Sequence, residues 1–264
     1  MAMAMKFYMT PGSCSTGIHI LLETLELPFE AWVLNLPAGD HLKPEYLAIN
    51  PRGTIPTLVP DDGPALTDFR SIALWLAERY PRGRLLPDDP ALAARAVELL
   101  DFALGQLHGE GFRRIFTAER YLAEPGARAR DDVRAHGREI VAQALALLDT
   151  RLPAAGYAVG ERFTVADAAL FCWEPRKTPS MGYFDIVRRG RSATNSRAFN
   201  RLRDCAAPHQ RGARAPRKVF RGALNEFWAH RTDIPLPPRV AAHYRRLRAL
   251  PVVRQVLAEE GYRS

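Results

Sequence analysis

Met5-Lys6-Phe7-Tyr8-Met9-Thr10-Pro11-Gly12-Ser13-Cys14-Ser15-Thr16-Gly17-Ile18-His19-Ile20-Leu21-Leu22-Glu23-Thr24-Leu25 changes its hydrophobic period partway along. Met5 to Met9 is a short apolar run, the length of a buried strand. Beyond Ser15, the residues Ile18, Leu21, Leu22 and Leu25 recur at i, i+3, i+4 and i+7, the period of an amphipathic helix. Pro11-Gly12-Ser13-Cys14 therefore sits between a strand and a helix start. A thiol there lies near the unpaired N–H groups and the positive dipole end of the helix, where a thiolate is favoured. Cys14 is a candidate thiolate on that ground. Its alternative role is that of a small buried apolar residue, the commoner fate of a cysteine outside a disulfide.

Reading on from this stretch, Phe29-Glu30-Ala31-Trp32-Val33-Leu34 alternates on one face as a second strand. A polar loop follows around Ala38 to His41, then Pro44 to Ile49 and the turn Asn50-Pro51-Arg52-Gly53. Thr57-Leu58-Val59 and Ala65-Leu66-Thr67 read as short strands joined through Asp61-Asp62-Gly63. Asp68 is placed to cap a helix with Ile72, Trp75 and Leu76 on its apolar face. The order β-α-β-loop-β-β-α predicts an α/β thioredoxin-like domain over residues 5–81.

Pro81-Arg82-Gly83 to Pro90 is rich in breakers and reads as a linker. Beyond it, Leu92 to Leu107 and Val133 to Leu152 hold helical spacing. Thr164-Val165-Ala166-Asp167 has the form of a capping box before Ala168-Ala169-Leu170-Phe171. Val240, Tyr244 and Leu247, then Val253, Val256 and Leu257, mark two further short helices. These predict an all-α second domain over 91–264. Residues 174–222 interrupt it with 13 Lys/Arg against 3 Asp/Glu, and Leu, Ile, Val and Phe fill only 7 of the 49 positions. So little apolar surface at such charge predicts a basic, poorly ordered insertion.

The chain has 264 residues and a formal net charge of +8, which that insertion more than accounts for. No run of 18 or more apolar residues exists to predict a transmembrane helix. Met1 to Met5 lacks the basic and apolar regions of a signal peptide. Cys14, Cys172 and Cys205 form neither an even framework nor a metal-ligand spacing, and the seven histidines are dispersed. The expectation is a cytoplasmic protein with no metal site and no membrane partner.

Pro11-Gly12-Ser13-Cys14-Ser15, Asn50-Pro51-Arg52-Gly53-Thr54-Ile55-Pro56, Leu107-His108 and Thr164-Val165-Ala166-Asp167-Ala168-Ala169 occur in one order across two domains. In this the chain resembles the glutathione transferase family, most closely its bacterial beta class, over about 5–171 and again over about 227–262. The resemblance implies a thioredoxin-like domain followed by a helical one, a homodimer, and glutathione as co-substrate with a small electrophile. It implies a cis Ile55–Pro56 bond, with Thr54, Ile55 and Pro56 holding the cysteinyl part of glutathione as an added strand would. Asp68 and Phe69 stand where the family places a Glu-Ser pair for the γ-glutamyl end; Phe69 lacks the hydroxyl and offers backbone N–H instead. Cys14 would lie near the glutathione sulfur and support conjugation or thiol-disulfide exchange, with Ser13 and His108 as further catalytic candidates. Gly109 replaces the lysine that commonly follows the family histidine, with an extra residue near Glu110-Gly111.

A second function class competes with the enzyme. In it the chain is a non-catalytic glutathione transferase-like interaction protein whose insertion at 174–222 binds an acidic partner, nucleic acid included.

Overall fold

The computed structural model describes residues 5–36, 38–124, 126–171, 203–204 and 234–262. Strand β1 (Met5–Met9) leads into α1 (Ser15–Thr24) and β2 (Phe29–Val33), followed by the short α2 (Pro44–Leu47), β3 (Thr57–Val59) and α3 (Phe69–Arg79). The helical part consists of α4 (Pro90–Phe102), a π-helical segment Ala103–Phe112, α5 (Arg113–Phe116), α6 (Ala127–Arg151) and α7 (Val165–Phe171). A two-residue strand β4 (Arg203–Asp204) comes next, then α8 (Pro238–Ala249) and α9 (Pro251–Glu259). Apart from β4, the predicted insertion at 174–222 lies outside the described residues.

The described chain forms two compact units. The first contains the residues up to Gly83, β4, and the C-terminal stretch from Leu250. The second runs from Arg84 through α7 and resumes over α8. The last helix therefore belongs with the sheet and α1 and not with the helices of the second unit, so the all-α domain expected over 91–264 does not take in the stretch from Leu250.

In the first unit the strand order is β3-β1-β2-β4, with β1 parallel to β2, antiparallel to β3, and β4 parallel to β2. The parallel register pairs Met5 with Phe29 and Met9 with Val33. Parallel neighbours need a crossover, which α1 supplies. The predicted second strand of the hairpin is reduced to one antiparallel bridge, Leu58 to Leu66. Pro60 and Pro64 flank that turn and have no N–H to extend a ladder.

Helix α1 departs from the amphipathic expectation, since every residue from Ser15 to Glu23 is buried. Ile18, Leu21 and Leu22 are fully inaccessible, each contributing about 1.5–3 kcal/mol by burial. The polar positions Thr16, His19 and Glu23 are covered because α9 packs along the helix. Phe7 and Phe29 meet edge to face at 5.9 Å, with the His19 ring 5.7 Å from Phe29.

In the second unit all seven residues of α7 are buried. Its start bears out the predicted cap: Asp167 accepts from the Thr164 N–H at 2.9 Å and from the Thr164 hydroxyl at 3.0 Å. The π segment lies where the sequence carries its extra residue, and an i→i+5 ring holds one more residue per hydrogen bond than an α turn. Two glycines let α6 approach this region closely. A Cβ on Gly111 would stand 2.4 Å from Val141 Cγ2, and one on Gly137 would stand 2.9 Å from Arg114 Cβ and 3.0 Å from the Gly111 carbonyl.

Gly137→Ala is expected to destabilise the protein by about 1–2 kcal/mol, because overpacking outweighs the helix-propensity gain. Gly105→Ala, where a Cβ meets nothing within 4 Å, is expected not to destabilise it. Denaturant midpoints of the two variants check this pair.

Candidate active site

Cys14 occupies the N-cap of α1 in right-handed helical conformation, φ −56° and ψ −25°. The turn before it needs Gly12, whose φ of +73° is left-handed. The Thr10 carbonyl gathers this turn, accepting from the Ser13 N–H at 3.1 Å, the Ser13 hydroxyl at 2.7 Å and the Ser15 hydroxyl at 2.9 Å. Ser15 Oγ accepts in return from the Thr10 N–H at 3.0 Å. The two serine hydroxyls lie 2.6 Å apart, and Ser13 Oγ also accepts from the Ser15 N–H at 3.1 Å. Both hydroxyl protons are engaged inside the turn.

The half-buried Cys14 reaches the second informative stretch. Its thiol donates to the Ile55 carbonyl at 3.5 Å. The Ile55–Pro56 bond is cis, as the resemblance implied. Buried Asn50 shapes the approach to it, donating through Nδ2 to the Thr54 carbonyl at 2.8 Å and Thr57 Oγ1 at 3.0 Å while accepting from the Arg52 N–H at 3.0 Å. The Tyr46 hydroxyl donates to the Thr54 carbonyl too. Tyr46 itself is held in a cluster with Tyr8 and Leu34. Thr54 and Ile55 remain half-buried, and the Ile55 N–H makes no hydrogen bond among the described residues.

Asp68 caps α3, accepting from the Ser71 N–H at 2.8 Å and the Ser71 hydroxyl at 3.0 Å. Arg52 Nη1 stands 3.6 Å from Oδ2, the oxygen that accepts from the Ser71 hydroxyl, in an exposed ion pair. Phe69 is buried, so its side chain is a core group, and what it presents at the helix start is backbone N–H. His108 lies half-buried on the π segment of the second unit. The structure thus brings Ser13, Cys14, Ser15 and Ile55 into direct contact, and joins Asp68 to Arg52.

A polar cluster behind Cys14 escaped the sequence reading. Glu260, just after α9, accepts through Oε2 from the Gly12 N–H at 2.7 Å and the Thr16 hydroxyl at 2.8 Å. Its Oε1 accepts from His19 Nδ1 at 3.1 Å, and His19 Nε2 stands 3.2 Å from Glu259 Oε2. Gln255 Nε2 donates to both Glu23 Oε2 at 3.0 Å and Glu259 Oε1 at 3.1 Å. The signal was there as spacing: Thr16, His19 and Glu23 share one helix face, as do Gln255 and Glu259.

Burial opposes a charge on His19, but hydrogen bonds and charge from Glu259 and Glu260 outweigh it and raise its pKa to about 9. His19, Glu23 and Glu259 bring potential ligand atoms within 4.8 Å of one another. A protonated His19 with a carboxylate at each nitrogen makes this an ion-pair cluster and not an open cradle for a cation.

The consequence for stability has a definite sign. The folded pKa exceeds the unfolded value of 6.5, so the contribution is complete below pH 6.5 and is lost as pH rises through about 9. The shift corresponds to about 3 kcal/mol. Unfolding free energies are expected to fall by an amount of that order between pH 6.5 and pH 9.5, and His19→Gln should flatten the profile.

Comparison with known proteins decides the family. The profile of the glutathione S-transferase N-terminal domain matches residues 12–79, and that of the C-terminal domain matches residues 131–195, together half of the chain. The chain belongs to the glutathione S-transferase family. Solved glutathione transferases share its fold along their whole length. A glutathione transferase homologue from Sulfitobacter, crystallised with bound glutathione, is 19% identical with a TM-score of 0.70, covering 99% of this chain and 100% of that one. The glutathione S-transferase of Xylella fastidiosa is 20% identical at a TM-score of 0.68 over 98% and 100%. The beta-class enzyme of Sphingomonas chungbukensis is 22% identical at 0.63 over 97% and 98%. The α/β thioredoxin-like and all-helical architecture read from the sequence is the glutathione transferase fold. Among the described residues, no helix is long and apolar enough to cross a membrane.

Proposed function

We propose that this glutathione S-transferase family member binds glutathione along Thr54-Ile55-Pro56 and exchanges disulfides with it through Cys14. One observation carries the reading: the Cys14 thiol lies 3.5 Å from the Ile55 carbonyl, on a residue whose N–H makes no hydrogen bond among the described residues. An extended peptide can use that N–H and carbonyl as a strand edge, which sets its own cysteine beside Cys14. The Sulfitobacter relative holds glutathione. Asp68 and the backbone N–H groups opening α3 would take the γ-glutamyl amine and carboxylate.

The exchange balances without another redox partner. The Cys14 thiolate attacks the glutathionyl sulfur of a mixed disulfide; the S–S bond breaks and the departing thiolate takes a proton from solvent. A second glutathione thiolate then attacks the glutathionyl sulfur now on Cys14. Glutathione disulfide leaves, and Cys14 is restored as a thiolate.

Conjugation to a small electrophile is the second reaction open to the site. It requires donors for the glutathione thiolate, and the hydroxyls of Ser13 and Ser15 are spent on Thr10 and on each other. Exchange is favoured for that reason, with Ser13 holding the turn and His108 facing the ligand only as the resemblance implies. The proposed setting is a cytoplasmic homodimer.

Retention on immobilised glutathione tests the binding half. The protein is expected to be retained and released by free glutathione, and to gain thermal stability as glutathione rises. Passage without retention, together with an unchanged melting temperature at millimolar glutathione, would count against the site.

A further inference from the structure

We propose that Glu260 is a positioning residue for Cys14, holding the Pro11–Cys14 turn in register from the far end of the chain. The inference rests on the reading of Cys14 as the exchanging thiol. It concerns a group about which neither the family match nor the proposed chemistry says anything.

The geometry is specific. Gly12 is two residues from Cys14 and stands in the left-handed region at φ +73°, where its backbone is fixed by whatever holds its N–H. What holds it is a carboxylate oxygen at 2.7 Å, and that same oxygen accepts from Thr16 in the first turn of α1 at 2.8 Å. One atom thus clamps the loop before Cys14 to the helix after it. The carboxylate is itself held. Glu260 is 2% exposed, and its other oxygen accepts from His19 at 3.1 Å.

Charge explains why a histidine stands there. A bare carboxylate at the start of α1 would oppose a thiolate forming at Cys14, and the His19 cation, which Glu260 shares with Glu259, offsets part of that charge. Glu259 on the other ring nitrogen, at 3.2 Å, and Glu23 on the same face of α1 are further charged groups packed around it. The device joins the last turn of α9 to the turn before Cys14.

The test compares Glu260→Gln, Glu260→Asp and Glu260→Ala in the full chain. Gln keeps the reach and an oxygen acceptor but loses the charge; Asp keeps the charge but is one methylene short of Gly12. Cys14 is probed by alkylation with iodoacetamide, which needs no glutathione site, and separately by glutathionylation with glutathione disulfide. Hydrogen exchange at the Gly12 amide is read against amides in the middle of α1.

Positioning predicts that alkylation slows in the order Gln, Asp, Ala, with Ala slower by roughly tenfold, and that Gly12 exchange rises by a similar factor while mid-helix amides hold. Equal loss in Gln and Asp, or alkylation within about twofold of wild type in all three, would overturn it. If Ala does not fold, the order of Gln and Asp decides alone. Failure of glutathionylation in the wild type, with the alkylation order intact, would reject the exchange chemistry and leave the positioning role standing.

Discussion

Cys14→Ser is expected to bring glutathione-dependent reduction of a small mixed disulfide down to the uncatalysed rate while leaving glutathione binding nearly unchanged. The two halves have different physical origins. Exchange requires a sulfur that can enter and leave a disulfide, and a hydroxyl cannot do so. In the proposed site, binding draws on the Ile55 backbone groups and the start of α3, none of which Cys14 supplies. The serine hydroxyl can still donate to the Ile55 carbonyl that the thiol now meets at 3.5 Å, so affinity should change by less than about 1 kcal/mol. Coupled turnover and calorimetric titration of the same preparation separate the two. Full turnover in the serine variant would transfer the chemistry to glutathione itself and favour conjugation as the primary reaction. Loss of binding together with turnover would show that the thiol shapes the site and does more than react in it.

Asp167→Ala is expected to cost about 3–5 kcal/mol, enough to threaten folding of the second unit. Asp167 is fully buried, and its carboxylate takes three donors: the Ala158 N–H at 2.8 Å, the Thr164 N–H at 2.9 Å and the Thr164 hydroxyl at 3.0 Å. Alanine leaves two backbone N–H groups dry and unpaired, each costing about 1–3 kcal/mol. Burial raises the Asp167 pKa to about 6 despite those bonds, so at neutral pH it is still a carboxylate. His243 Nε2 stands 3.3 Å from Oδ1; burial and the nearby Arg246 charge lower its pKa to about 4. The neighbour is therefore neutral imidazole, and the three donors carry the carboxylate. Asp167→Asn keeps one oxygen and should cost about half as much. Urea midpoints of the two variants give the comparison, and a loss under 1 kcal/mol for alanine would show that the helix start is held by packing alone.

How much of this was legible in the sequence depended on distance along the chain. The change of period at Ser15 placed Cys14 at a strand-to-helix turn, and Thr164 to Asp167 announced a cap, because both signals are local. The crossover through α1 accounts for the parallel sense of β1 and β2, while the register that pairs Met5 with Phe29 was not legible in the sequence. Ile55–Pro56 gave no compositional sign of its cis bond, and the resemblance alone suggested it. Ala65-Leu66-Thr67 alternated like a strand, yet only Leu66 pairs.

The largest omission was the burial of the polar face of α1. Thr16, His19 and Glu23 look like a solvated stripe until α9 arrives from 241 residues away to place Glu260 against His19. A helical pattern reports which face is apolar. It does not report what a distant segment will lay over the polar one. Ser13 shows the converse case: its residue type suggested a donor for a ligand, and the Thr10 carbonyl claims that proton at 2.7 Å.

Intact mass, followed by peptide mapping after incubation with glutathione disulfide, tests the central claim most directly. The predicted result is one glutathionyl group per chain, located on Cys14 and removed by free glutathione. A protein that remains unmodified at Cys14, although that thiol alkylates readily, would contradict the account.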